Sequence, residues 1–200
     1  DVSLVGSEMC IRDRSNCSHE ENLKDASMLT TMLQKLNNLK YPTLAVIKGA
    51  AFGGGVGLIS CCDIALASEN SIFSLSEVKV GLIPATISPY VINAIGARNA
   101  RRLFTSGERF DSNIAKQINL VHEIAKEEDL EKRISYFINH FKQNGPKAVI
   151  AAKKIVLDIF NKEIDDSVIS HTCEVISALR TSKEGREGVT AFLEKRNPNW

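Results

Sequence analysis

Apolar residues follow two different patterns in the first part of the chain, a helical period and short continuous runs. In residues 20–39 they recur at helical spacing, which predicts an amphipathic helix with Leu29, Met32, Leu33 and Leu36 on one face. Short apolar runs then alternate with polar segments and predict buried strands at residues 43–47, 64–67, 72–74 and 121–124. One further run, residues 56–62, predicts a buried helix. This alternation is typical of a parallel α/β layer, in which ligands bind at the carboxyl ends of the strands.

The pattern becomes helical from Pro89 onward. Two short helices are predicted, at residues 90–95 and 99–105, and Gly96 and Gly107 are expected to end them. Apolar stripes at helical spacing predict four more helices, at residues 130–141, 149–160, 169–179 and 184–195. We interpret these stripes as core and interface surfaces. The chain is therefore expected to combine an α/β core at residues 15–125 with a helical C-terminal region at residues 126–200.

Residues 48–57, Lys-Gly-Ala-Ala-Phe-Gly-Gly-Gly-Val-Gly, join a predicted strand to a predicted helix. Consecutive glycines let a ligand approach the backbone closely, and the first N–H groups of the helix stay unpaired. The spacing excludes a phosphate loop, since Gly55 stands where that motif needs Lys, and a dinucleotide loop, since Leu58 replaces its third glycine. A G-x-S-x-G elbow is absent. Two interpretations remain, an oxyanion hole made of backbone amides and simple tight packing.

Composition narrows the possible partners. The 25 basic and 24 acidic residues give a net charge of +1, so the chain has no general attraction to nucleic acid or anionic membranes. No apolar run approaches the ~18–20 residues of a membrane span. The five cysteines match neither disulfide nor zinc spacing and the four histidines are scattered, so we expect no metal site. Free thiols indicate a reducing compartment.

Residues 62–69 and 73–84, taken with the glycine stretch, closely resemble the crotonase (enoyl-CoA hydratase/isomerase) superfamily. Residues 81–91 resemble its methylglutaconyl-CoA hydratase branch. The resemblance implies an α/β fold, a crotonase-like (ββα) layered core with a helical C-terminal trimerisation region. It also implies an acyl-CoA substrate, no separate cofactor, a homotrimer or hexamer without nucleic-acid or membrane partners, and a bacterial cytoplasmic or mitochondrial matrix location. The implied reaction is hydration of a branched enoyl-CoA in leucine or isoprenoid breakdown.

The same resemblance implies roles for individual residues. The amide of Gly54 would donate to the thioester oxygen, and Glu77 would exchange a proton with C2 of the acyl group. The implied substrate-binding positions are Ala51, Phe52, Gly53, Gly57, Pro84, Thr86, Phe192 and Lys195. Burial would have to raise the pKa of Glu77 from its ordinary ~4.3 to make it a useful acid near neutrality. On residue type alone, Glu77 also fits a surface carboxylate and Lys195 a solvated charge.

The sequence departs from the family at position 57. Typical hydratases carry a second Glu there to activate water, whereas this chain has Gly57. Thr86 and Ser88 are candidates for orienting the water, or for capping the helix that follows them. Two alternatives to hydration stay open: an enoyl-CoA isomerase that uses Glu77 alone, and a non-catalytic or RNA-binding scaffold. The balanced charge does not favour the RNA-binding alternative.

The first residues of the chain look foreign. Residues 4–14 resemble a translated transposon-type sequencing adapter, so we interpret residues 1–14 as an assembly artefact rather than a disordered leader. In the family, a second oxyanion donor lies in an earlier Ala-Asp-rich turn, which this sequence does not contain. We therefore expect the first strands of the core to be missing, the strand at residues 43–47 to lack a partner, and this chain to be inactive.

Overall fold

The computed structural model of the protein describes residues 17–200. The interpretation of residues 1–14 as an artefact lies outside these residues and stays a prediction. The chain divides into two compact units. The first contains Thr43–Leu130 with the described residues up to Leu39, and the second contains Glu131–Trp200 with Lys40–Pro42.

Helix α1, His19–Asn37, begins in a reciprocal cap. The Ser18 hydroxyl accepts from the Glu21 backbone N–H (3.2 Å), and the Glu21 carboxylate accepts from the Ser18 N–H (2.7 Å). This arrangement satisfies two N–H groups that a helix start leaves unpaired. Leu33 on the predicted apolar face is fully buried and joins the main core.

Within the described residues, six short strands form two three-stranded sheets. One contains β1 (Leu44–Ile47), β3 (Ile64–Ser68) and β6 (Glu123–Ala125), in the order β1-β3-β6 and with all strands parallel. The other contains β2 (Ala50–Phe52), β4 (Ile72–Ser74) and β5 (Arg109–Asp111), in the order β2-β4-β5. In this second sheet β2 and β4 are parallel, whereas β5, which the sequence did not predict, runs antiparallel to β4.

Strand β1 has a partner, contrary to our expectation. It pairs with β3 in a register that places Leu44 opposite Ile64. The register is fixed by a clamp between Thr43 and Asp63. One Asp63 carboxylate oxygen accepts from both the backbone N–H (2.7 Å) and the hydroxyl (2.8 Å) of Thr43, and that hydroxyl accepts from the Asp63 N–H (3.0 Å). The other edge of β1, which faces away from β3, pairs with no described strand.

Seven more α-helices follow α1 in the described part of the chain. Six have bounds close to the predicted ones, and α4 was not predicted. The seven helices are α2 (Gly54–Ser60), α3 (Ser88–Ser106), α4 (Ser112–Gln117), α5 (Leu130–Gln143), α6 (Pro146–Ile159), α7 (Asp166–Thr181) and α8 (Lys183–Leu193). The two helices predicted after Pro89 are the halves of α3, which is kinked at Gly96 (φ 76°) and ends at Gly107 (φ 57°). None of the described helices is long and apolar enough to cross a bilayer.

The core of the first unit lies where α2 and α3 pack on each other and α2 packs on β2. Phe73 of β4 stacks on Phe110 of β5, with ring centroids 5.6 Å apart, and both are buried. Cys61 is also buried in the core, which raises the pKa of its thiol to about 12. Cys62 is half-buried.

Candidate active site

The glycine stretch turns the chain from β2 into α2 at Gly53. Gly53 has φ 48° and ψ −113°, a backbone conformation that side-chain-bearing residues rarely adopt. Its N–H donates to the carbonyl of Ser74 in β4 (2.9 Å), and its carbonyl accepts from the N–H groups of Val56 (2.9 Å) and Gly57 (3.2 Å). The turn is therefore held from both sides.

Gly54, the first residue of α2, is exposed. Because helix starts leave their N–H groups without intrahelical acceptors, its amide is available to a ligand. No residue in the range 17–200 accepts a hydrogen bond from it. A Cβ built at Gly54 would meet nothing within 4 Å. The turn therefore presents an unpaired donor with open space around it.

Glu77 lies directly against this turn. It opens a 3₁₀ turn, Glu77–Val80, a few residues after β4. A Cβ built at Gly53 would lie only 2.9 Å from Glu77 Oε1. The fold thus brings the carboxyl group into contact with the glycine turn across a long separation in sequence.

The carboxyl group of Glu77 is poorly solvated. Its Oε2 atom is buried and has no hydrogen-bond partner among the described residues. Burial raises the pKa of Glu77 above its ordinary value, and a hydrogen bond to its own backbone opposes this in part. A larger fraction of the group is therefore protonated near neutrality than in a surface glutamate, which suits a proton donor.

A stability measurement can test this electrostatic setting. Because the pKa of Glu77 is higher in the folded than in the unfolded chain (~4.3), its contribution to stability is full below pH ~4.3 and is lost as pH rises through the folded pKa. We expect Glu77→Gln, which stays neutral, to gain thermal stability relative to the parent as the pH rises from about 4 to 8. If the melting temperatures of the two proteins change with pH in the same way, burial does not shift the pKa of Glu77.

Position 57 has no room for a side chain. Gly57 is buried, and a Cβ built there would overlap the side chain of Ile87, with 2.7 Å to the Ile87 Cβ. The second carboxylate found in typical hydratases is therefore sterically excluded, not only absent. The sequence did not single out Ile87. The one signal in the sequence was Gly57 itself, because a glycine inside a predicted buried helix often marks a place where a neighbour lies close to the backbone.

The structure places the remaining candidates as follows. Ala51 and Pro84 are buried, while Phe52 and Thr86 are half-buried. The Arg109 guanidinium lies over the Phe52 ring, 5.4 Å from its centroid. Phe192 (82% exposed) and Lys195 belong to the second unit, so their proposed contact with CoA stays a prediction.

The capping alternative for Thr86 and Ser88 is wrong. The N-cap residue of α3 is Ile87, and no side chain caps that helix. The Ser88 hydroxyl instead donates to the carbonyl of Ala85 (2.8 Å). In the described chain, the Thr86 hydroxyl has no hydrogen-bond partner, so it is the better placed of the two to bind water.

An unpaired amide at a strand–helix turn, with a buried carboxyl group against it, suits an enzyme that stabilises an oxyanion while it moves a proton. The sequence model of the Enoyl-CoA hydratase/isomerase family matches residues 9–200. The chain belongs to this family. Within residues 17–200, no group of three or more His, Cys, Asp or Glu side chains could hold a metal ion.

Solved structures and curated relatives agree with this assignment. An enoyl-CoA hydratase from Shewanella pealeana superimposes with a TM-score of 0.91 at 42% identity, over 95% of this chain and 71% of that one. An enoyl-CoA hydratase of Alternaria alternata is 31% identical over 90% of this chain and 62% of its own length. A mitochondrial Δ(3,5)-Δ(2,4)-dienoyl-CoA isomerase of Dictyostelium discoideum is 33% identical over 83% of this chain and 57% of its own. The prediction of a crotonase-like α/β fold is confirmed.

Proposed function

We propose that the protein is a hydro-lyase that adds water to an α,β-unsaturated CoA thioester. The observation that carries the proposal is the carboxyl group of Glu77, which lies against the Gly53 turn next to the unpaired amide of Gly54. Its Oε2 atom is buried and has no hydrogen-bond partner among the described residues. The amide stabilises the negative charge that develops on the thioester oxygen when water attacks C3. Removal of one such donor typically costs ~3–4 kcal/mol of transition-state stabilisation.

A single carboxyl group can complete this reaction. Protonated Glu77 gives its proton to C2 as the oxygen of water bonds to C3, and the proton released by that water returns to the Glu77 carboxylate. Atoms and charge balance, and the enzyme regains its starting state. The raised pKa of Glu77 favours the protonated form that the first step needs. In this scheme the unpaired hydroxyl of Thr86 orients the water.

The acyl group that we propose is branched, as in methylglutaconyl-CoA, and the reaction would serve leucine breakdown. Residues 81–91 support this through their resemblance to that branch. Ala51, Phe52 and Pro84 would line the acyl pocket, and Phe192 and Lys195 would contact the nucleotide of CoA. We also propose that the protein forms a homotrimer or hexamer and is located in the bacterial cytoplasm or the mitochondrial matrix.

A second candidate is double-bond isomerisation of an enoyl-CoA. The blocked position 57 favours it, because isomerisation needs one group that removes a proton from one carbon and returns it to another, and no water. The dienoyl-CoA isomerase of Dictyostelium discoideum is a relative that carries this activity in its name.

Parallel assays separate the two candidates. The full-length protein, meaning the whole product of its gene, is incubated with methylglutaconyl-CoA, linear crotonyl-CoA and a 3-enoyl-CoA. We expect loss of conjugated-thioester absorbance and one solvent oxygen in the product from the first substrate. Conversion of the 3-enoyl-CoA without incorporation of solvent oxygen, and no hydration, would replace the hydratase assignment with the isomerase one.

A further inference from the structure

We propose that Glu187 is a positioning residue for the binding of the CoA nucleotide. Its carboxylate ties the C-terminal tail back onto α8 and so fixes the turn that carries Phe192 and Lys195. The inference rests on the proposed function, which assigns these two residues to the nucleotide of CoA. The attachment of the tail to Glu187 can be tested without any activity.

The Glu187 carboxylate binds three donors of the tail. Nη1 of Arg196 donates to Oε1 (2.6 Å), Nη2 of Arg196 donates to Oε2 (3.1 Å), and the backbone N–H of Asn199 donates to Oε1 (2.8 Å). Glu187 is half-buried, and the donors lie 9 and 12 positions further along the chain. A lone ion pair at a surface contributes little, whereas a bidentate pair whose carboxylate also holds a backbone N–H fixes a definite geometry.

The same donors keep Glu187 charged. The guanidinium of Arg196 and, after it, the N–H of Asn199 lower the pKa of Glu187 to about 2. The carboxylate is therefore fully ionised near neutrality. The attachment of the tail does not depend on pH in that range.

The turn at the end of α8 has an unfavourable backbone conformation. Lys195 has φ 55°, in the left-handed region that residues other than glycine rarely adopt. The N–H of Lys195 donates to the carbonyl of Phe192 (3.2 Å), and the N–H of Arg196 donates to the carbonyl of Ala191 (3.0 Å), which closes the helix end. Strained conformations persist only where their surroundings hold them, so contacts beyond the turn are needed.

Those contacts come from the tail that follows the turn. Besides the N–H of Asn199 on Glu187, the Trp200 ring lies against Gly188, where a built Cβ would be only 3.3 Å from it. The last residues therefore run back along α8 and are held there at more than one point. The conformation of Lys195 is thus set by α8 on one side and by the attached tail on the other.

Two side chains on this turn are available to a ligand. Phe192 is 82% exposed, and in the described chain the Lys195 ammonium has no ion-pair or hydrogen-bond partner. A purine ring can stack on the phenyl ring, and a phosphate group can pair with the ammonium. If the tail were loose, binding would have to order the turn as well, and that cost would lower the affinity. Glu187 therefore acts through the turn, without touching CoA.

The positioning role is tested with Glu187→Gln, which keeps the shape of the side chain and removes its charge. The full-length protein and the variant are compared on an enoyl-CoA and on the corresponding enoyl-pantetheine, which lacks the nucleotide. We expect KM for the CoA thioester to rise by about 3–10-fold, the scale of the cost of immobilising one or two long side chains, with kcat unchanged. KM for the pantetheine thioester should stay the same. An equal rise for both substrates, or none for either, would overturn the positioning role.

The matched control is Glu174→Gln, which changes an exposed glutamate of α7 in the same unit and should leave both KM values unchanged. Arg196→Gln should raise KM for the CoA thioester by a factor similar to that of Glu187→Gln. The double variant should raise it little further, because the two side chains act as one unit. Strict additivity of the two changes would count against the assignment.

The attachment itself is tested by limited digestion with trypsin, followed by mass spectrometry. Glu187→Gln should lose the residues after Lys195 or Arg196 several-fold faster than the parent, because the tail opens more often. Equal rates of loss would show that Glu187 does not hold the tail. If the parent turns over neither thioester, the proposed function fails together with the positioning role, whereas the digestion still decides the attachment.

Discussion

Replacing Glu77 by glutamine is expected to lower kcat of the full-length protein by about 10²–10⁴-fold with little change in affinity for CoA thioesters. Glutamine has nearly the shape of glutamate but can neither give a proton to C2 nor accept one from water. The neutral amide of glutamine also fits the half-buried site, because burial of the unpartnered Oε2 atom disfavours a charged side chain there. Steady-state kinetics and calorimetric binding of a saturated acyl-CoA measure the two quantities separately.

The matched control for this variant is Glu69→Gln, which changes an exposed glutamate of the same unit and should leave both quantities unchanged. An unaltered kcat in Glu77→Gln would assign the proton transfer to another group. A loss of binding as large as the loss of turnover would instead give Glu77 a structural role.

Gly54→Pro is expected to lower kcat by about 10²–10³-fold while the fold is kept. Proline lacks the N–H that we assign to the oxyanion, and its fixed φ suits the first position of a helix. No hydrogen bond within residues 17–200 is lost, since no described group accepts from this amide. Gly53 (φ 48°, ψ −113°) is not helical, and it has no Cβ to clash with the ring of a proline after it.

Gly54→Ala separates the loss of the donor from the loss of glycine. It keeps the N–H, and its Cβ would meet nothing within 4 Å, so most of the activity should remain. Circular dichroism and the melting temperature check that the proline variant folds. If Gly54→Pro turns over substrate as fast as Gly54→Ala, the oxyanion assignment is wrong.

Local patterns predicted the elements whose causes are local. Strand β4 has the predicted bounds, and both glycines expected to end helices have positive φ, because left-handed backbone favours glycine wherever it occurs. Strand β2 was not predicted, because its three residues lie inside the glycine stretch and are too few to show an apolar pattern. Strand β5 and helix α4 were missed because residues 109–117 are mostly polar and show no clear apolar period. Strand β5 forms by pairing with β4.

The site was only partly predictable. The sequence showed the glycine turn and, through its resemblance to a family, singled out Glu77, but only the fold brings the carboxyl group against Gly53. The sequence showed that Gly57 replaces the second glutamate, but it did not show that Ile87 fills the space which a side chain there would need. Ile87 lies thirty positions further on in an apolar segment, and nothing in its surroundings marks it as a neighbour of the turn.

The clamp between Thr43 and Asp63 bears on the order in which the molecule folds. It joins residues only 20 positions apart, so the loop that closes when it forms is short. Closing a short loop costs little conformational entropy, and contacts of low sequence separation form early. Strand β1, the glycine turn, α2 and β3 all lie within or beside that loop. We therefore expect β1 and β3 to pair early in a local event, whereas the turn at Gly53, whose N–H donates to Ser74 of β4, takes its final geometry only when β4 docks and brings Glu77 to it.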